Sequence, residues 1–318
     1  NVDFDPGEGV ATVSFSSSVN NAWILKLDSA GDYVWAKHFA PQSTSSSISI
    51  QQDRGLTLDG SGNVYTTGTM GGKVDVDPGP GEEFLESTTA AFVSKLDSSG
   101  NYVWAKAAER TCCSNDAVRS NSVAVDGSGN VYAVGSFEST VDFDPGSGVT
   151  NLTSNGGYDV FVSKLDSSGN YVWARSLGGI STDYGRSVAV DSSGNVYTTG
   201  YYYGTVDFDP GEGTVSRTAS GNDLFLVKLD SSGALAPGSP AAAVTLSKAT
   251  ATVSEAGGTD SFTVVLAAQP SSDVVLSVLS ADTGEATVSS AQLTFTSGNW
   301  DTVQTVTVTG VDDSLIDG

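Results

Sequence analysis

The chain has 318 residues, enough for two domains, and a hydrophobic content of 38% supplies ordinary cores. Its 14 Lys and Arg stand against 37 Asp and Glu, and the net charge of −23 repels nucleic acid and anionic membrane while attracting cations or basic partners. No apolar window approaches the length of a membrane span, so none is expected.

Abundant Ser, Thr, Gly and Asp with one Met and one His match a secreted, bacterial-type surface protein, and the acidity suits salty or extracellular water. No signal peptide and no initiating Met are present, so the chain is expected to start after processing or inside a longer polypeptide.

In chain order, V-D-F-D-P-G (2–7) opens the sequence, followed by A-W-I-L-K-L-D-S-A-G (22–31) and D-Y-V-W-A-K (32–37). The same phrases return as A-F-V-S-K-L-D-S-S-G (91–100) with N-Y-V-W-A-K, and as V-F-V-S-K-L-D-S-S-G (160–169) with N-Y-V-W-A-R. A last copy, D-L-F-L-V-K-L-D-S-S-G (223–233), lacks the aromatic phrase. Between them run L-T-L-D-G-S-G-N-V-Y-T-T-G (56–68), V-A-V-D-G-S-G-N-V-Y-A-V-G (123–135) and V-A-V-D-S-S-G-N-V-Y-T-T-G (188–200), each followed by V-D-x-D-P-G. A self-similarity period of roughly 65–70 residues is the mark of a repeat architecture.

Each repeat is predicted to hold four short strands, here called a to d. In the last copy, strand a is Ser187–Asp191, b is Val196–Phe208 and c is Leu224–Asp230, while d is supplied in earlier copies by segments such as Tyr171–Leu177. Aromatic and β-branched residues alternate with period two, and no helical period of useful length appears. Asp-x-Ser/Ala-Gly occurs seven times, at Asp28, Asp59, Asp97, Asp126, Asp166, Asp191 and Asp230. An Asp accepting backbone N–H groups and a Gly able to take positive φ specify a hairpin loop, so these acids are expected to be structural.

Antiparallel four-stranded units in series are expected to form the blades of a propeller. The a–b and c–d turns then share one uniform face. The opposite face collects Ala40–Asp53, Ala107–Arg119, Gly178–Arg186 and the b–c loops, and variable loops on a rigid scaffold are where contacts reside. The V-D-x-D-P-G acids lie there: Asp75 and Asp77, Asp142 and Asp144, Asp207 and Asp209. Two carboxylates per loop offer hard oxygens to Ca²⁺ but fall short of the roughly 6–8 it wants, so a Pro-Gly turn weighs more than a metal.

The only cysteines, Cys112 and Cys113, are adjacent. They are candidates for a strained vicinal disulfide or an interchain link, against two inert loop thiols. His38 stands where another copy has Ser176, in no recognisable nucleophile motif. Loop acids such as Glu82, Glu83, Asp116 and Asp183 keep a propeller hydrolase or lyase open as a weaker alternative.

Residues 237–243, rich in Pro and Ala, read as a linker after a repeat region of 1–236. From 244 to 318 the phrases change to alternating strands at sandwich spacing.

The phrases F-V-S-K-L-D-S-S-G-N-Y-V-W-A-K and S-V-A-V-D-S-S-G-N-V-Y-T-T-G resemble the bacterial β-propeller repeats called SBBP repeats, over about 1–236. The stretches T-V-S-E-A-G-G-T-D-S-F-T-V-V-L and L-T-F-T-S-G-N-W-D-T-V-Q-T-V-T-V-T-G-V-D-D resemble a Calx-beta domain, over about 244–318 and without its last strands. The resemblances imply an all-β chain, with an incomplete propeller followed by an immunoglobulin-like β-sandwich. The second also implies Ca²⁺ at one end of the sandwich, with Glu255, Asp312, Asp313 and Asp317 as candidate ligands and Asp282 as a weaker one.

The functional expectation is a structural or adhesive surface protein, not an enzyme, within a larger or polymeric extracellular assembly. Partners are then copies or neighbouring domains of the same polypeptide. The alternative is a glycan- or protein-binding module using the variable loop face.

Overall fold

The computed structural model describes residues 2–7, 9–13, 19–51, 54–110, 118–236, 242–248, 250–254, 257–266, 269–270, 273–280 and 283–311. Among these the chain is all-β, with no helix. It opens with β1 (Val2–Asp3) and β2 (Thr12–Val13), which pair with each other, then the hairpin β3 (Ala22–Leu27) and β4 (Tyr33–Pro41).

The first full repeat holds β5 (Ser47–Ile50) and β6 (Leu56–Leu58), both along β7 (Val64–Asp75), then β8 (Phe84–Leu96) and β9 (Tyr102–Arg110). The second holds β10 (Val118–Val125), β11 (Val131–Phe137), the short hairpin β12 (Thr140–Asp142) and β13 (Asn151–Thr153), then β14 (Asp159–Leu165) and β15 (Tyr171–Gly179). The third holds β16 (Tyr184–Val190), β17 (Val196–Asp207) and β18 (Ser216–Leu229). All these pairings are antiparallel, as expected for the a-b-c-d order. A corner pairing links successive repeats: Ala40↔Asp75, Glu109↔Asp142 and Gly178↔Asp207.

The core lies between repeats. Along β14, Val160 and Val162 join a buried cluster with Val188, Phe208, Phe225 and Val227 of the next repeat. Phe161 and Leu165 of the same strand join Tyr65, Val93 and Trp104 of the preceding one. A strand covered on both faces must be apolar at nearly every position, which is why V-F-V-S-K-L breaks the strict alternation of a half-exposed strand. Full burial of each such Val or Phe contributes about 1.5–3 kcal/mol.

The turn face is a seam as well as a boundary. The Trp104 indole N–H donates to the Ser167 carbonyl of the next repeat at 3.2 Å, and Trp173 reaches Ser231 at 3.1 Å. Gly169 and Gly233 lie directly on those indoles at φ +80°, where an added Cβ would come within 3.0 and 2.8 Å of the ring. Lys26 takes the matching Ser98 carbonyl at the first junction, and the buried Trp35 N–H has no described partner there.

Beyond residue 241, β19 (Ala242–Leu246) runs antiparallel to β18 through Leu224↔Val244 and to β20 (Thr259–Leu266) through Val244↔Leu266. The hairpin-like pair β21 (Val274–Ser277) and β23 (Gln292–Phe295) and the strands β22 (Ala286–Val288) and β24 (Gln304–Gly310) complete this part, with β24 between β20 and β22. Val264, Leu266, Leu293, Phe295 and Val306 form its core, with Trp300 against it. Lys248 and Asp260 form an ion pair there.

Candidate functional site

The Asp-x-x-Gly acids act as turn acceptors. Asp126 Oδ1 accepts the amides of Ser128 and Asn130 at 2.9 Å, and Oδ2 accepts Asn130 Nδ2 at 2.8 Å and the Tyr132 hydroxyl at 2.9 Å. Asp59 and Asp191 repeat this set with Asn63 and Tyr65, and with Asn195 and Tyr197. Burial pushes these three acids up, but the Asn, amide and Tyr donors together hold them below the usual carboxylate range.

The V-D-x-D-P-G acids close the b–c loops. Asp142 Oδ1 accepts Asp144 N at 3.0 Å and, eight residues on, Thr150 N at 2.8 Å, while Asp144 Oδ1 accepts Gly146 N at 2.8 Å. Asp75 with Asp77 and Asp207 with Asp209 do the same. The glycine four residues after the second Asp is where its carboxylate folds back: a Cβ on Gly148 would sit 2.2 Å from Asp144 Oδ2. Among the described residues no three His, Cys, Asp or Glu gather as a metal would need. Glu255, Asp282, Asp312, Asp313 and Asp317, and likewise Cys112, Cys113 and Asp116, lie outside the described residues. Glu82 and Glu83 are exposed near the Asp77 loop. The ring of His38 pairs with Asn21 Oδ1 at 3.0 Å, and burial lowers its pKa.

Among the described residues, the predicted loop acid with an unusual setting is Asp183, in the Gly178–Arg186 connection. It is fully buried, and its two oxygens accept Gly179 N at 2.9 Å and Tyr203 N at 3.0 Å. Beside it in charge and burial is Asp159, which the sequence reading did not single out. Asp159 Oδ2 accepts Asn155 N at 3.1 Å, Oδ1 is buried with no described partner, and Gly178 leaves the space its carboxylate occupies. Burial pushes Asp159 up to about 7, with the Asp183 charge adding to it, and burial raises Asp183 too.

Above these acids the second and third repeats meet in a run of tyrosines. Tyr158 and Tyr184 stack with centroids 5.8 Å apart and planes 23° apart; Tyr184 and Tyr201, cross-strand partners, are 4.9 Å apart; Tyr203 meets Tyr201 edge-on at 6.1 Å. Two exposed arginines lie on the run. Arg119 sits 5.8 Å from the Tyr158 ring, and Arg186 lies 5.6 and 5.0 Å from those of Tyr184 and Tyr201. Arg186 also donates to the Tyr201 hydroxyl at 2.7 Å. Such stacking holds a planar guanidinium still while leaving N–H donors free.

This cluster is where the repeats stop repeating. The Tyr184↔Tyr201 pair stands where the second repeat has Arg119↔Ser136 and the first has Ser49↔Thr69. The structure therefore puts the Gly178–Arg186 loop of the variable face together with Tyr158, Arg119 and the strand residues Tyr201 and Tyr203. The readable signal was departure from the repeat at aligned positions, not any motif.

Two comparisons with known proteins bear on this arrangement. The family model of the SBBP β-propeller repeat matches residues 172–201, from the second repeat's aromatic strand to Tyr201. The match gives this stretch the character of a β-propeller repeat, and the other copies share its phrases. An uncharacterized WD repeat-containing protein of Acanthamoeba polyphaga mimivirus is 26% identical over 213 residues, which is 56% of this chain and 14% of that protein. This chain therefore spans about a seventh of that relative's length (14%).

Proposed function

We propose that this chain is an adhesive segment of a secreted surface polypeptide, and that it contacts glycan through the tyrosine–arginine run between its second and third repeats. One observation carries the reading: on a scaffold built from near-identical units, the cluster of Tyr158, Tyr184, Tyr201 and Tyr203 occurs once among the described residues, on the variable face. Partly exposed aromatic faces and edges are the surfaces on which sugars settle, and repeats built for packing alone have no use for them. Of the acids that burial holds above the usual carboxylate range, Asp159 and Asp183 are fully buried and do not face a substrate, while the exposed Glu109 lies at the β9–β12 corner beside Asp142, away from the tyrosine run. An array of bacterial and plant glycans probed with the protein tests the proposal. Saturable binding that is lost in Tyr201→Ala with thermal stability kept supports it, and an array empty of signal refutes it.

A second reading, of assembly into larger particles, rests on β3. That strand is the outer member of its sheet, and a groove of about 430 Å³ beside it is lined by Trp23, Ile24, Leu25, Ile50 and Leu56. Among the described residues no strand pairs with the outer edge of β3, and such an edge with an exposed Trp is a template for another strand. Light scattering over a concentration series tests it, with growth of particles blocked by Trp23→Lys as the supporting outcome. We read residues 244–318 as a Calx-beta-like sandwich in such an assembly, with calcium as its brace. The sharing of one core by β19–β20–β24 and β21–β23 supports the sandwich, and EDTA reversal of the particles tests the calcium.

A further inference from the structure

The geometry points to an anionic saccharide, carboxylated or sulfated, as the ligand of the seam between the second and third repeats, with Arg119 and Arg186 taking the acid group. The inference rests on the glycan reading above and narrows it. In a chain with 37 acids, the ion pair found among the described residues joins Lys248 and Asp260, so neither Arg119 nor Arg186 is neutralised by a described carboxylate. Both instead lie on tyrosine rings, at 5.8 Å for Arg119 on Tyr158 and 5.0 Å for Arg186 on Tyr201. Of Arg186's five N–H donors, one is given to the Tyr201 hydroxyl, and the fork keeps donors for a bidentate acid.

The two arginines come from different repeats and are joined through the Tyr158–Tyr184 stack, so an acid-bearing chain laid along the seam meets cation, ring, ring and cation in turn. A net charge of −23 opposes a dense polyanion such as nucleic acid. It opposes a saccharide with spaced acid groups less, because charges beyond a Debye length of about 8 Å are screened at physiological salt.

The test compares three oligosaccharides of equal length by titration calorimetry: one with a uronate on alternate sugars, a galactan fragment sulfated on alternate sugars and an uncharged galactan fragment. At low salt one or both acidic ligands should bind at least about tenfold tighter than the neutral one, with the advantage shrinking in about 0.5 M NaCl. Whichever acidic arm leads identifies carboxylate or sulfate as the group recognised. Arg119→Gln and Arg186→Gln should each remove most of the preference, weakening the acidic ligand far more than the neutral one. Should a variant fold poorly, side-chain Nε–H resonances of arginine in the wild-type protein should shift on adding the preferred acid.

Equal affinity for acidic and neutral ligands, a preference that survives both substitutions, or unshifted arginine resonances overturns this inference while leaving the glycan reading standing. Failure of all three ligands to bind, with an empty glycan array, overturns both.

Discussion

Asp159 carries the least comfortable charge among the described side chains. Its carboxylate is fully buried, one oxygen has no described partner, and the neighbouring Asp183 is negative as well. The folded state therefore holds the Asp159 proton up to about pH 7, whereas an unfolded chain releases it near the ordinary aspartate value of 3.8. A group whose pKa is raised by folding stabilises most when both states are protonated, and that contribution is lost as pH rises from about 4 to 7. Three units of difference correspond to a loss on the order of 4 kcal/mol. The turn acids Asp59, Asp126 and Asp191 have the opposite sign, adding stability above pH 4 that vanishes in acid. Urea midpoints should therefore peak between about pH 4 and 5 and fall towards pH 7. Asp159→Asn should flatten that fall, and a wild-type curve that climbs steadily to pH 7 would show Asp159 to be solvated in the folded state.

At the scale of turns and strands, the Asp-x-x-Gly hairpins do two jobs that substitution can separate. Gly31 and Gly233 share a positive φ, of 87° and 80°. Nothing lies within 4 Å of a Cβ built on Gly31, whereas on Gly233 it would come 2.8 Å from the Trp173 ring. Gly31→Ala is expected to cost about 1 kcal/mol through the backbone alone, and Gly233→Ala about 2–4 kcal/mol because the indole must also move. Equal urea midpoints for the two variants would mean the seam is loose.

The backbone bonds of the turns could be read directly, since the Asp and the Gly three residues on specify them locally, whereas the Asn and Tyr donors to Asp59, Asp126 and Asp191 were not singled out. The seam could not be read at all. Trp104 and Ser167 are 63 residues apart, and only the way repeats face each other makes them neighbours. Period-two alternation likewise says only which side chains share a face, and the doubly covered β14 shows why its Val and Phe alternate without a polar side. The tyrosine run was hidden for a related cause: Tyr184, Tyr201 and Tyr203 look like ordinary strand aromatics until aligned with Arg119, Ser136 and Glu138, or with Thr69 and Gly71. Asp159 fails the same way, because only burial distinguishes it from the Asp223 that precedes the next copy of its strand.

For the molecule as a whole, 23 excess negative charges must sit on a compact body. Their mutual repulsion favours expansion and is weakened by salt. The thermal midpoint should rise by several degrees, on the order of 5 °C, between about 10 mM and 0.5 M NaCl at neutral pH. A midpoint independent of salt would place the acids too far apart, or too well satisfied by their turns, to repel. The same charge gives Arg119 and Arg186 their weight, since a pair of cations in an acidic field is a local exception that a ligand can find.

The first and second full repeats each carry both halves of the seam, an indole on the last strand and a glycine turn to receive the indole before it, and the third supplies the glycine turn alone. In-register recombination between the near-identical phrases could therefore add or delete one whole unit and rebuild every junction without a new mutation. The tyrosine–arginine run is different, because Arg119 and Tyr158 ride on one unit and Tyr184, Arg186 and Tyr201 on the next. Copy number can drift under such a scheme while packing survives, but any exchange that separates these two units erases the proposed contact site. Selection on the ligand would then appear as an adjacency that stays fixed between two units in an array whose length is free to vary.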